Sequence, residues 1–149
     1  MEKKNSHHKV MAHSYVFYFV LFLLGIFMDL VFPMKIFKHD SLISVGVVVL
    51  VLATILILWE QKTARKLSKE NINKESFLHG PYRYTSSPAH LGLFLLMFGF
   101  GMIVNGFFIM LFSVISFVIS KFSFIKKTEK MLVEKYGEHY AEYKKSVKF

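Results

Sequence analysis

Apolar residues in this chain are gathered into long runs rather than spaced at the helical or strand period of a soluble fold. Four runs stand out: residues 15–32, 43–59, 91–104 and 107–124, the last two separated only by Asn105-Gly106. A run of about 17 or 18 residues, at about 1.5 Å per residue, gives a helix of about 26 Å, enough to cross a thin hydrocarbon core. The third run reaches that length if its helix begins at Pro88. The pattern therefore predicts an all-α integral membrane protein with four transmembrane helices at about 15–32, 43–59, 88–104 and 107–124. The last two form a tight hairpin turning at Asn-Gly, and a cytoplasmic amphipathic helix follows over 126–145. The 149 residues read as a single membrane domain.

The polar stretches between the runs test this count. Lys3, Lys4 and Lys9 precede the first run, and Lys62, Arg65, Lys66, Lys69, Lys74 and Arg83 follow the second. Eight further basic residues lie between Lys121 and Lys148. Only Lys35 and Lys38 fall between the first two runs, and none falls at Asn105-Gly106. With four crossings, seventeen basic residues lie on one side and two on the other; three or five crossings would spoil that asymmetry. The positive-inside rule then puts both termini and residues 80–92 in the cytoplasm, making the chain a multi-pass protein. Asp29 falls near the outer surface beside Lys35, not at mid-membrane.

Composition agrees: 54% of residues are hydrophobic and 17% aromatic, with a mean hydropathy of +0.42. The net charge of +9 is read as orientation and contact with the lipid bilayer, because nucleic-acid binding would want a soluble basic face. Absence of cysteine excludes disulfides, thiolate metal sites and a cysteine nucleophile. No signal peptide is expected, since the first run is long and no small-residue cleavage site follows it. Gly99-Phe100-Gly101 has no preceding strand and reads as helix packing, not as a dinucleotide fingerprint.

Two segments carry candidate chemistry. Residues 80–92 are turn-rich and abut the third run: Gly80-Pro81 sets a turn, Tyr82, Arg83 and Tyr84 follow, and Ser87-Pro88 suits an N-cap and first helical position. A helix N-terminus ringed by aromatic and polar groups at a membrane surface suits an anionic group. In the second segment Glu129, Leu132, Tyr136, Tyr140 and Tyr143 recur every three or four residues and would share one helix face. Gly137 weakens that helix by about 1 kcal/mol relative to alanine, allowing a break. The plainer reading of the face is an amphipathic helix with tyrosines at headgroup level. His139 falls off the stripe, and His7, His8 and His13 form a short tail cluster; no metal site is expected.

Taken in order, the two segments resemble the isoprenylcysteine carboxyl methyltransferase and phospholipid methyltransferase superfamily, small membrane enzymes that use S-adenosylmethionine. The resemblance covers about half the chain, from Gly80 to the C-terminus. It implies that Gly80-Pro81-Tyr82 leads into a cofactor-bordering motif in which Pro88 and Gly92 match and Leu91 is usual. Ser86, Ser87 and His90 stand where the family has Arg, His or Asn, and Tyr. The family's paired glutamates become Thr128-Glu129, while Leu132, Tyr136, Gly137, Tyr140 and Tyr143 fit the pattern.

The resemblance further implies a methyltransferase with S-adenosylmethionine as cofactor and a lipid or other hydrophobic, lipidated acceptor. Its cofactor-binding residues would be Tyr82, Ser87, Pro88, His90, Leu91, Gly92, Glu129 and Tyr140. Glu129 would pair with the cofactor's ammonium, the Ser87-Pro88 helix start would receive its carboxylate, and tyrosines would pack on adenine. Arg83 is the remaining cationic candidate for a catalytic role, with phosphate anchoring as its alternative. Because Ser86, Ser87 and Thr128 depart from the family pattern, a non-catalytic membrane protein of the same fold is the other expectation.

Overall fold

The computed structural model describes residues 2–38, 41–67, 80–85 and 87–147; the side chains of residues 2–11 and of scattered positions such as Thr128 and Tyr136 lie outside that description. Ser86, Lys69, Lys74 and Lys148 lie outside the described residues, as do the side chains of Lys3, Lys4, His7, His8 and Lys9. All the described elements are helical. They are α1 (Glu2–Val31), α2 (Ser41–Leu67), a 3-10 turn (Gly80–Arg83), α3 (Pro88–Val104), α4 (Phe107–Ser120), a π-helical turn (Lys121–Ile125), α5 (Lys126–Tyr136) and α6 (Glu138–Ser146).

Two stretches, Ala12–Val31 in α1 and Leu42–Thr63 in α2, are long and apolar enough to cross a membrane. Pro88–Val104 and Phe107–Ser123 are shorter apolar helices. Much of α1 and α2 faces outward with bare apolar side chains, among them Phe19, Phe27, Leu30, Val48, Leu52 and Ile55. A soluble protein would rarely expose so much contiguous apolar surface.

The helices pack in the order α2–α3–α4–α1, with α2 on α3 the most extensive pairing. Small residues line that seam. A Cβ on Gly46 would lie 2.9 Å from the Gly99 carbonyl oxygen, and a Cβ on Gly92 would lie 2.5 Å from Ile57. On α4, the fully buried Ser113 and Ser116 return their hydroxyls to the carbonyls of Met110 and Phe112, so they pack as small, satisfied residues.

One end of the molecule is fastened by two polar side chains. The Asp29 carboxylate accepts from the Phe108 and Ile109 backbone N–H groups at 3.0 and 2.9 Å, capping α4 from a different helix. Asn105, in the left-handed region at φ 55, accepts from the Ile36 and Phe37 N–H groups and donates to the Phe37 carbonyl. Asp29 is thus tied to a helix end.

Two sequence expectations need correction. The helix expected over 126–145 is two helices, because Gly137 adopts φ +63, which a right-handed helix cannot accommodate. Ser87 precedes α3 but its side chain makes no capping bond; its N–H instead donates to the Thr85 hydroxyl at 3.3 Å. Pro88 does occupy the first helical position.

Candidate functional site

At the end opposite Asp29 and Asn105, polar side chains from nearly every element meet. Their centre is Glu60, near the C-terminal end of α2 and only 3% exposed. The Tyr82 hydroxyl, from the 3-10 turn, donates to Glu60 Oε1 at 2.8 Å. Tyr15 of α1 lies within electrostatic reach of the same carboxylate. Burial first, and then the neighbouring Glu60, push the Tyr82 phenol far above its ordinary range, so it remains a hydrogen-bond donor.

The 3-10 turn is seated by its neighbours on both sides. Gly80 sits at φ +73 against Thr63, where a Cβ would approach the Thr63 hydroxyl to 2.6 Å. From the other side, the Tyr143 hydroxyl donates to the Tyr82 carbonyl. Tyr140, Tyr143 and Val147 form a buried cluster against which Tyr82 and Leu132 pack. The break at Gly137 folds α6 back so that its tyrosines reach this cluster. Burial raises the Tyr140 phenol to about 12 and shifts Tyr143 upward in the same way.

A second, uncharged group lies between α1, α3 and α4. The Ser14 hydroxyl and His90 Nε2 are 2.7 Å apart, both buried, although 76 residues separate them in sequence. The Tyr18 ring lies against His90, with centroids 6.1 Å apart. The Tyr18 and Ser120 hydroxyls face one another without closing a bond of ordinary hydrogen-bond geometry, and neither has another partner among the described residues.

The residues expected to form the site are distributed over this end. Tyr82 and Tyr140 meet in the aromatic cluster. His90 belongs to the Ser14–Tyr18 group. Pro88 is buried, Ser87 and Leu91 are half-buried, and Gly92 is taken up by contact with Ile57 and Ala53 of α2. Arg83 is exposed. Glu129 is ion-paired with Lys144 of α6, whose own pKa burial lowers. Thr128 and Tyr136 have side chains outside the described residues.

Sequence reading missed Glu60, Ser14, Tyr18 and Ser120. Glu60 follows Trp59 at the end of an apolar run, where a carboxylate is ordinarily taken as solvated. One usable signal was present: Ser113, Ser116 and Ser120 recur at helical spacing inside an apolar run and mark an inward face.

The sequence pattern of a family described as a protein of unknown function, DUF1295, matches residues 1–147. The chain belongs to the DUF1295 family. Neither curated proteins nor solved structures gave a match. The DUF1295 match takes in α1 and α2 as well as the motif-bearing half, so Ser14, Tyr15, Tyr18 and Glu60 fall within the family's span along with Tyr82 and Tyr143.

Proposed function

We propose that this DUF1295 protein is a membrane-embedded S-adenosylmethionine-dependent methyltransferase acting on a lipid or other hydrophobic acceptor. In this reading the chain crosses the bilayer four times, with α3 and α4 as a tight hairpin. Both termini and the Glu60–Tyr82 end face the cytoplasm. The observation that carries the reading is the junction of Tyr143 with the Tyr82 backbone. It joins the two motif-bearing segments, which lie 61 residues apart, at one end of the helical layer.

The residues present fit the cofactor in part. Ser87 leaves the first-turn N–H groups of α3 without a side-chain cap, which suits a carboxylate at that helix start. Tyr82, half-buried against the tyrosine cluster, offers ring surface for an adenine, whereas Tyr140 is already taken up within that cluster. Glu129 suits an ammonium, but would have to give up its ion pair with Lys144 to take one. When bound, S-adenosylmethionine supplies a methyl group activated by its sulfonium. What remains for the protein is alignment of the acceptor and exclusion of water, which need little acid–base chemistry. His90, held by Ser14, fixes the start of α3 in this scheme, and Arg83 is an exposed cation beside Tyr82 on the 3-10 turn. The acceptor enters sideways from the bilayer at headgroup level.

One set of contacts favours a second reading, a non-catalytic membrane protein of the same fold. Glu129, His90 and Gly92 are each engaged within the chain, by Lys144, Ser14 and Ile57. Titration of the purified protein with S-adenosylhomocysteine separates the two, and absence of binding at millimolar ligand selects the second. Under the first, Glu129→Gln lowers affinity about ten- to hundredfold, the worth of a hydrogen bond to a charged group. Glu134→Gln, on an exposed position of the same helix, leaves affinity unchanged. Lys144→Gln, which removes the ion pair described for Glu129, does not weaken binding. Equal affinities for the Glu129→Gln and parent proteins would remove Glu129 from the site.

A further inference from the structure

Among the described residues, one face of α2 has no partner over most of its length. Val48, Val51, Ile55 and Leu58 follow one another at helical spacing, and each is 49–60% exposed. The same stripe continues into the exposed Lys62 and Arg65. Where its character changes there is a cleft of about 500 Å³ lined by Leu58, Gln61, Lys62, Arg65 and Lys66. Glu60, on the same helix, is turned away and engaged by Tyr82, so it does not neutralise these cations.

We propose that this stripe and cleft are a binding site for one anionic phospholipid, its phosphate held by Lys62 and Arg65 and an acyl chain lying along Val48, Val51, Ile55 and Leu58. The proposal rests on the membrane reading above but not on the methyltransferase activity. Its argument is complementarity of both parts of the ligand with one helix face. About one and a half turns of exposed cations sit directly above an exposed apolar stripe, the order of charge and hydrocarbon in a phospholipid standing in a leaflet. A guanidinium and an amide beside the ammonium groups supply directed N–H donors to phosphate oxygens, so charge is not the only attraction. The basic residues near α5 lack this arrangement: Lys126 stacks on Phe122, and Lys127 and Lys130 continue into a polar helix. The occupant is a bilayer lipid rather than a free anion, because the apolar stripe gains nothing from inorganic phosphate.

Trp59, the single tryptophan, is 45% exposed beside Leu58 and reports on this face. The full chain is reconstituted into phosphatidylcholine vesicles containing a minor fraction of either phosphatidylglycerol or phosphatidylcholine brominated near the glycerol, and quenching of Trp59 is compared. The expected result is about fivefold stronger association of the brominated phosphatidylglycerol, equivalent to about 1 kcal/mol. Lys62→Gln with Arg65→Gln abolishes the preference while quenching by brominated phosphatidylcholine persists, which verifies insertion. Lys62→Arg with Arg65→Lys retains it, and Lys126→Gln with Lys127→Gln leaves it unchanged. Equal quenching by the two lipids overturns the proposal, as does a preference that survives Lys62→Gln with Arg65→Gln. Full competition by inorganic phosphate assigns the cleft to a free anion instead. Failure of either lipid to quench Trp59 overturns the membrane reading along with the site.

Discussion

A carboxylate taken out of water needs donors, and among the described residues Glu60 has the Tyr82 hydroxyl. Removing that donor leaves the charge buried and unmatched, so Tyr82→Phe should cost about 1.5–3 kcal/mol of stability, the range for hydrogen bonds to charged groups. Glu60→Gln, which keeps an acceptor oxygen without the charge, should cost less. The double variant should cost less than the sum, with a coupling of about 1 kcal/mol or more by denaturant unfolding in detergent. Strict additivity would mean that the pair is adjacent but not coupled. This part of the candidate site was illegible in the sequence. The rule that places an acidic residue at the end of an apolar run in water is local, whereas Glu60 is buried by a tyrosine 22 residues away. His90 was legible as a polar group at a helix start, but Ser14, its partner, comes from a helix 76 residues earlier in the chain.

Among the elements, most of what local signals indicate is present, the Ser87 cap excepted, whereas what depends on remote partners was not legible. Pro88 starts α3, and Asn105-Gly106 separates α3 from α4, both consistent with local residue chemistry. Gly137 marked a weak point, but not that α6 would fold back to send Tyr143 to the 3-10 turn. The cap of α4 was invisible, since Asp29 lies about 80 residues before the N–H groups it accepts from. Asp29→Ala should therefore destabilise by about 0.5–2 kcal/mol, the usual cost of losing a cap, and Asp29→Asn by less, because one acceptor remains. An Asp29→Ala protein as stable as the parent would make the contact incidental. The tyrosine cluster makes a separate prediction. Tyr82, Tyr140 and Tyr143 hold their protons more tightly when folded than at the unfolded value near 10. Above about pH 10 the unfolded chain releases protons that the native state keeps, so stability falls as pH rises. The slope approaches about 1.4 kcal/mol per pH unit for each fully shifted phenol. Thermal unfolding followed from pH 9 to 11.5 should show this loss, and Tyr140→Phe should flatten it. A curve flat through pH 11 would mean the phenols are not buried as described.

Across the whole molecule, the two connections at the Asp29 end bear on the topology. Asn105 is bonded to the backbone of Ile36 and Phe37, so the tip between α3 and α4 stands level with the segment between α1 and α2. If Ala12–Val31 and Leu42–Thr63 cross a bilayer, as their length and apolarity allow, α3 and α4 extend to the same depth despite being shorter. Charge points the same way, because the segment after α1 holds only Lys35 and Lys38 whereas Lys62, Arg65 and Lys66 crowd the far end of α2. The chain has no cysteine, so single cysteines can be introduced without background. Four crossings with cytoplasmic termini require that Lys38→Cys and Val104→Cys react with an impermeant thiol reagent from outside intact cells. Lys66→Cys and Lys130→Cys should react only after permeabilisation. All four positions are exposed, so failure to react reports sidedness or lipid cover rather than burial in the protein. Labelling of Lys66→Cys from outside would invert the topology. Labelling of Lys38→Cys without Val104→Cys would leave two crossings, with α3 and α4 dipping into the membrane and the level set by Asn105 lying beneath its surface.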